Sequence, residues 1–578
     1  MTTPEERILD HLHFLYTGEE AEDTWERLDA RLTEFQDAHP QLQERLPPEE
    51  RLTERDAILI TYGDQVSEPD KPPLATLAEV LTEYAKDAIS GVHILPFFPY
   101  SSDDGFSVID YTTVNPDWGD WDDVERIGVH FRLMFDAVIN HISRESEWFQ
   151  RFKAGDPEYQ DFFITVEEGT DLSDVVRPRA KPLLTRVETA EGENLVWTTF
   201  SPDQIDLNFA NPEVLLRIID VLLCYVDHGA EIVRLDAIAY LWKEIGTSCI
   251  HLEQAHRIVR LFRAVFDLVA PDVMIITETN VPHEENISYF GDGTNEAQLV
   301  YQFSLPPLVL HALARGDASY LTEWAAGLAG DLPSKETTFY NFLASHDGVG
   351  VRPVEGILPS AEVQWLAKRA QAHGGYVSYK TNADGSESPY ELNISYFDAL
   401  SDPQGGEPLS LQVKRFMVSQ AVMLALQGIP AIYVHSLFGS RNYLEGVQET
   451  GRYRSINREK FERADLEAAM ADPDSVPARV YNAYRQLLVV RREHPAFHPN
   501  GVQRILDLGS AVFTLMRTAP DESETLICLH NVTGETQEIA LPQDATVRPL
   551  WGILTDRIYD QGTVTLAPYQ ILWLLSEA

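Results

Sequence analysis

The rhythm of apolar and polar positions changes twice along the chain, near residue 56 and again near residue 490. Through residues 1–55, as in "EERILDHLHFLYTGEEAEDTWERLDARLTEF", apolar residues recur every three or four positions among charges. That spacing predicts two or three helices, each burying one stripe, packed on the outside of the molecule. Residues 56–490 switch to short apolar runs of β type separated by helical stretches. The runs are AILIT (57–61), GVHILP (91–96), RLMFDAV (132–138), EIVRLDA (231–237), VMIIT (273–277), LVYQF (299–303), FYNFLAS (339–345) and IPAIYV (429–434). Helices are expected between them, for instance over 211–228, 251–269 and 411–427. Strand–helix alternation implies a parallel sheet, and eight units imply a closed (β/α)8 TIM barrel of α/β class. Residues 491–578 carry short alternating runs such as AVFTLMR and ETLICLHNV, the pattern of an antiparallel β domain.

Two gaps in the alternation are long, 143–207 after the third run and 350–408 after the seventh. Insertions of that length in a barrel usually build the mouth of its site. With 44% apolar and 10% aromatic residues among 578, the chain can fill a large core. The longest apolar stretch, "AVMLALQGIPAIYV", is broken by Gln, Gly and Pro, and the N-terminus "MTTPEERILD" is acidic. Neither suits a membrane span or an export signal, so a soluble cytoplasmic protein is expected. The scattered Cys224, Cys249 and Cys528 form no CxxC and are expected as buried free thiols. Charge narrows the partners: 91 Asp plus Glu stand against 45 Lys plus Arg, a net charge of −46. Such a surface repels nucleic acid and anionic membrane, which excludes both as partners. It also repels itself, an effect that concentrated salt screens, so a halophilic source is expected in preference to an ordinary acidic protein.

Chemistry enters where the strands end. In "IVRLDAIAY" (232–240) the apolar run holds Arg234 and Asp236, two apart and therefore on one face of a strand. Charges there are costly unless paired or used. The C-terminal ends of barrel strands hold catalytic groups, and these ends read PYSSDDGF, DAVINH, RLDAIAY, TETN and ASHD. Five strands thereby bring Asp103, His141, Arg234 with Asp236, Glu278, and His346 with Asp347 to one rim. Cleaving an acetal needs an acid for the departing oxygen and a carboxylate for the cationic carbon, and this set supplies both.

The segments DAVINH, VRLDAIAY, IITETN and FLASHD resemble the four conserved regions of the α-amylase clan, glycoside hydrolase family 13. More narrowly, GVHILPFFPYSSDDGFSVIDY, YLWKEIGTSCIHL, FSLPPLVLHAL, SHDGVGVRP and RSINR are similar to the sucrose phosphorylase subfamily, in order from about residue 57 to 460. The resemblance implies a retaining double displacement on a glucosyl unit. Asp236 matches the nucleophile, Glu278 the acid/base and Asp347 the third carboxylate, with Arg234 holding Asp236 ionised. His141 and His346 match residues that bind sugar hydroxyls. Asp103 and Arg454 match a pair closing the pocket behind glucose, and Phe106, Phe200 and Tyr240 match its aromatic walls.

For phosphate, "VVRPRAKPLL" supplies a basic cluster, Arg177 and Arg179, on a proline-stiffened loop; Arg179, and Tyr390 in "SPYELN", match the subfamily's phosphate contacts. On the acceptor side the chain departs from sucrose phosphorylases. Ser388, Pro389, Tyr390 and Glu391 replace an Asp-Leu-Tyr-Gln string, and Asn280 replaces a histidine two residues past the acid/base. The stretch "ETNVPHEENISYFGDG", the "RPRAKPLLT" loop and the extra N-terminal helices look more like the glucosylglycerate phosphorylase branch. That branch implies D-glycerate and glucose 1-phosphate as partners of the reaction, and its product is a compatible solute, in keeping with a saline habitat. Sucrose, glucosylglycerol and sucrose 6-phosphate phosphorylases, an α-glucosidase, and a non-catalytic relative of the fold remain as alternatives. No cofactor motif and no metal-type His/Cys cluster appears; the expected partners are small sugars and phosphate, with the chain a monomer or homodimer.

Overall fold

A computed structural model of the chain describes residues 2–177, 182–328, 330–382, 386–542, 550–559 and 562–577. Its centre is a closed barrel of eight parallel strands. They are β1 (Ile58–Thr61), β2 (Gly91–Ile94), β3 (Arg132–Ala137), β4 (Ala230–Leu235), β5 (Met274–Thr277), β6 (Leu299–Tyr301), β7 (Thr338–Phe342) and β8 (Ile429–Tyr433). Each pairs with its neighbours in sequence, and β8 closes on β1 through Ile58–Ala431 and Leu59–Ile432. All eight expected runs are strands of this barrel. Parallel strands buried on both faces read as continuous apolar runs, and only β3 begins with a partly exposed residue while β4 exposes Glu231.

The N-terminal segment forms helices α1 (Pro4–Leu15) and α2 (Gly18–Ala38). Thr3 caps α1 in a reciprocal box with Glu6, at 3.3 and 2.9 Å, and Pro4 occupies the first helical position, where no N–H is needed. Ile8, Leu12 and Leu15 form the buried stripe of α1. These helices lie on two barrel helices, α3 (Pro212–Asp227) and α4 (Glu253–Val269). Ion pairs rim the contact: Arg7–Asp267 at 2.8 Å, Arg257–Asp10 at 2.7 Å and Arg31–Asp220 at 3.1 Å.

The long gap after β3 contains an antiparallel pair, His141–Ser143 with Gln204–Asp206, and a small sheet of Thr165–Val166, Leu184–Thr189 and Gly192–Trp197. The gap after β7 contains a second small sheet, Val349–Gly350, Tyr376–Thr381 and Glu387–Asn393. After the barrel comes a six-stranded sheet running from Val502–Leu506 to Ile571–Glu577, with a separate two-stranded ribbon beside it. All three cysteines are free thiols; Cys249 and Cys528 are buried, but Cys224 is half-buried rather than buried as expected, because its turn of α3 is partly open to solvent. Among the described residues no helix is long and apolar enough to cross a membrane. Among them, too, no three His, Cys, Asp or Glu side chains are grouped to hold a metal ion.

Candidate active site

Backbone pairing continues one residue past the strand ends and pins the first two carboxyls. The Asp236 N–H donates to the Ala137 carbonyl, and the Glu278 N–H to the Leu235 carbonyl, both at 3.1 Å. Next to Asp236, Ala237 adopts a left-handed φ of 52°, and Asp103 and Asp104 do the same at 56° and 50°. Non-glycine residues hold that conformation at a cost, and such strain gathers at working sites. Ala237 in turn donates its N–H to Glu278 Oε2 at 3.3 Å.

Beneath these groups lies Arg234, 2% exposed. It donates to Asp236 Oδ1 at 2.9 Å and stands 3.9 Å from Glu278 Oε2. Its charge is also met by Asp136, its register partner on β3, and its Nε donates to the Tyr301 hydroxyl at 3.2 Å. Asp136 is itself braced by His93 Nε2 at 2.6 Å. Burial raises the carboxyls of both Asp236 and Glu278, and Arg234 opposes the rise in each; Glu278 is pushed up to about 7 by burial and by the charges of Asp236 and Asp347. Arg234 opposes the effect of burial at Asp236 without fully cancelling it. The closer guanidinium contact still favours the negative charge on Asp236 and the shared proton on Glu278.

Asp347 behaves differently. Burial would raise it, but the guanidinium of Arg454, with those of Arg458 and Arg234, holds it well below the carboxylate range. Arg454 bonds directly to Asp347 and, on its other side, to Glu391 at 3.0 Å. Burial lowers His346 to about 3, so its ring is neutral, and it stacks on Phe106 with centroids 4.5 Å apart. His141 is likewise lowered by burial and shares its Nε2 hydrogen with the Phe106 carbonyl at 3.0 Å.

Around these groups is a cavity of about 740 Å³, counting the space open to solvent. Of the residues singled out in the sequence, Asp103, Phe106, His141, Phe200, Asp236, Tyr240, Glu278, Asn280, His346, Asp347, Tyr390 and Arg454 line it. Arg234 is not in the lining; it meets the cavity only through its contacts with Asp236 and Glu278. Glu391 lies behind Arg454 and borders an outer recess of about 1390 Å³ with Tyr379, Arg452 and Tyr453, so it holds a wall rather than facing the inner cavity. Arg177 is exposed and outside the cavity lining. Arg179 lies outside the described residues.

Sequence reading missed a supporting network. Lys243 Nζ lies 2.7 Å from Asp206 and 2.8 Å from Asn140 Oδ1, while Thr199 donates to Asp206 at 2.6 Å. This ties the insertion after β3 to the barrel beside His141. Asp136 and His93 were missed as well, although each is a polar residue inside an apolar run, the same signal that exposed Arg234.

Residues 79–351 match the model of the α-amylase catalytic domain. A glucosylglycerate phosphorylase of Allomeiothermus silvanus is 52% identical over 99% of both chains, and one of Spirochaeta thermophila is 51% identical over 99% of this chain and 98% of its own. Among solved structures, a sucrose 6F-phosphate phosphorylase from Thermoanaerobacter thermosaccharolyticum superposes with a TM-score of 0.71 at 27% identity, covering 83% of this chain and 94% of that one. Whole-length identity of this order, on an eight-stranded barrel whose rim carries these three carboxyls, makes the chain a member of the α-amylase family, glycoside hydrolase family 13, in the branch that holds the glucosylglycerate and sucrose phosphorylases.

Proposed function

We infer that this chain is a retaining α-glucoside phosphorylase that moves glucose between phosphate and D-glycerate. The observation that carries the chemistry is the pair of carboxyls sharing one guanidinium, with the proton favoured on Glu278 near neutrality. The acceptor follows from the whole-length likeness to glucosylglycerate phosphorylases.

In the synthetic direction an Asp236 oxygen attacks C1 of glucose 1-phosphate, and the C1–O bond to phosphate breaks. Glu278 gives its proton to the departing oxygen, which leaves as hydrogen phosphate. With Asp236 now an uncharged ester, the like charge beside Glu278 is gone and its carboxylate is the base. A glycerate hydroxyl attacks C1 from the opposite face, Glu278 takes its proton, and the ester bond to Asp236 breaks. Two inversions return the α configuration. Asp347, kept ionised by Arg454, is suited to the sugar hydroxyls and the cationic carbon, and the neutral His346 can donate or accept to a hydroxyl, whereas His141 spends its Nε2 hydrogen on the Phe106 carbonyl and shapes the wall. Tyr390, which lines the cavity, is the proposed phosphate contact, together with Arg179; Arg177, exposed outside the lining, is not assigned to it.

The test is to incubate the protein with 2-O-α-glucosylglycerate and phosphate and follow the anomeric proton by NMR. α-Glucose 1-phosphate as first product is expected. The β anomer would exclude double displacement, and free glucose would make the protein a hydrolase.

A further inference from the structure

An acceptor that carries a carboxylate must enter a cavity bordered by Asp103, Asp236, Glu278 and Asp347. Like charges repel there, so a cation not already engaged by the protein's own carboxylates is required. Most nearby arginines are engaged: Arg234 with Asp136 and Asp236, Arg454 with Asp347 and Glu391, and Arg458 with Asp104.

Arg352 is not so engaged; neither is Arg452, but Arg452 borders the outer recess rather than the inner cavity. Arg352 begins a short turn, Arg352–Val354, directly after a segment that packs on residues of the cavity lining; neither that segment nor Arg352 is itself part of the lining. In that segment Val349 and Gly350 pair with Leu392 and Glu391, and the Val351 N–H donates to the Tyr390 carbonyl at 3.0 Å. Gly350 lies against Asn280 so closely that a Cβ would come within 2.8 Å of Asn280 Nδ2. The Arg352 guanidinium reaches the hydroxyl of Tyr240. Tyr240, Asn280 and Tyr390 all line the cavity. Among the described residues no carboxylate is in ion-pair contact with Arg352. Asn280 Oδ1, in the same wall, is buried with no hydrogen-bond partner.

Resting on the acceptor reading above, we propose that Arg352 is a specificity-determining residue, binding the carboxylate of the acceptor while Asn280 Oδ1 accepts a hydrogen bond from one of its hydroxyls. A planar guanidinium matches a carboxylate in a forked contact, and a buried orphan acceptor rejects a ligand that cannot donate to it. Phosphate is also an anion and alternates with the acceptor in the same cycle, so a test has to separate the two.

Full-length Arg352→Gln and Arg352→Lys would be assayed with glucose 1-phosphate as donor and either D-glycerate or glycerol, which lacks the carboxylate. The KM for phosphate would be measured in the reverse direction. For Arg352→Gln, kcat/KM with glycerate is expected to fall roughly 10- to 100-fold and that with glycerol less than about threefold, the loss of one charge-assisted contact. Arg352→Lys should lie between, because it restores charge without the fork. Equal losses on both acceptors would make Arg352 structural, and a raised phosphate KM with glycerate untouched would make it a phosphate ligand; either overturns the proposal. A wild-type protein that favours glycerol or fructose over glycerate removes the acceptor reading and this inference together. A wild type that favours glycerate beside an Arg352→Gln that still does so removes this inference alone.

Discussion

Arg234 donates to Asp236 at 2.9 Å and stands 3.9 Å from Glu278, and this asymmetry separates two chemically similar carboxyls into nucleophile and acid. The pH dependence follows from it. Phosphorolysis needs the protonated form of Glu278, which is raised to about 7, so kcat/KM for glucosylglycerate should fall as pH rises through about 7. Because His346 is lowered to about 3 and Asp347 lies below its usual range, neither should add a limb between pH 5 and 8. A kcat/KM profile flat to pH 9 would remove Glu278 as the acid. Arg234, Asp236, Glu278 and Asp347 were legible in sequence because charge interrupts apolar runs at strand ends. Asp136 and His93 carried the same mark, inside DAVINH and GVHILP, but Arg234 meets Asp136 only through the β3–β4 register, which spacing alone does not give. Arg352 lies within "SHDGVGVRP", yet nothing in that string says that it turns toward Tyr240.

At the scale of elements, the eight barrel strands were legible because burial on both faces leaves unbroken apolar runs. The small sheets of the two insertions were not. Leu184–Thr189, with three of six positions half-buried, two exposed and one buried, lacks the clean alternation that marks a strand. Helix α1 was legible from its stripe, and the stripe explains how the N-terminal helices hold to the barrel. Leu12 is fully buried, so Leu12→Ala should lower the free energy of unfolding by about 2–5 kcal/mol, read from denaturant midpoints. A change below 1 kcal/mol would mean that the Arg7–Asp267 and Arg257–Asp10 pairs, rather than packing, fasten this segment.

Across the whole molecule the net charge of −46 repels itself over the surface, whereas the rim ion pairs attract. Salt weakens both, as the Debye length falls from about 10 Å at 0.1 M to about 3 Å at 1 M. With 91 acidic residues against 45 basic, repulsion dominates, and the melting temperature should rise by about 5 °C or more between those concentrations. A fall would show that the ion pairs, not the excess charge, set stability. The cavity is acidic like the rest of the molecule, and the account turns on its accepting anions despite that. The most direct measurement is phosphate release from glucose 1-phosphate with D-glycerate, fructose, fructose 6-phosphate, glycerol or water alone, each at low and high salt. Release fastest with D-glycerate at both salt concentrations is the predicted result. Release fastest with fructose or its phosphate, or as fast with water alone, would contradict the account.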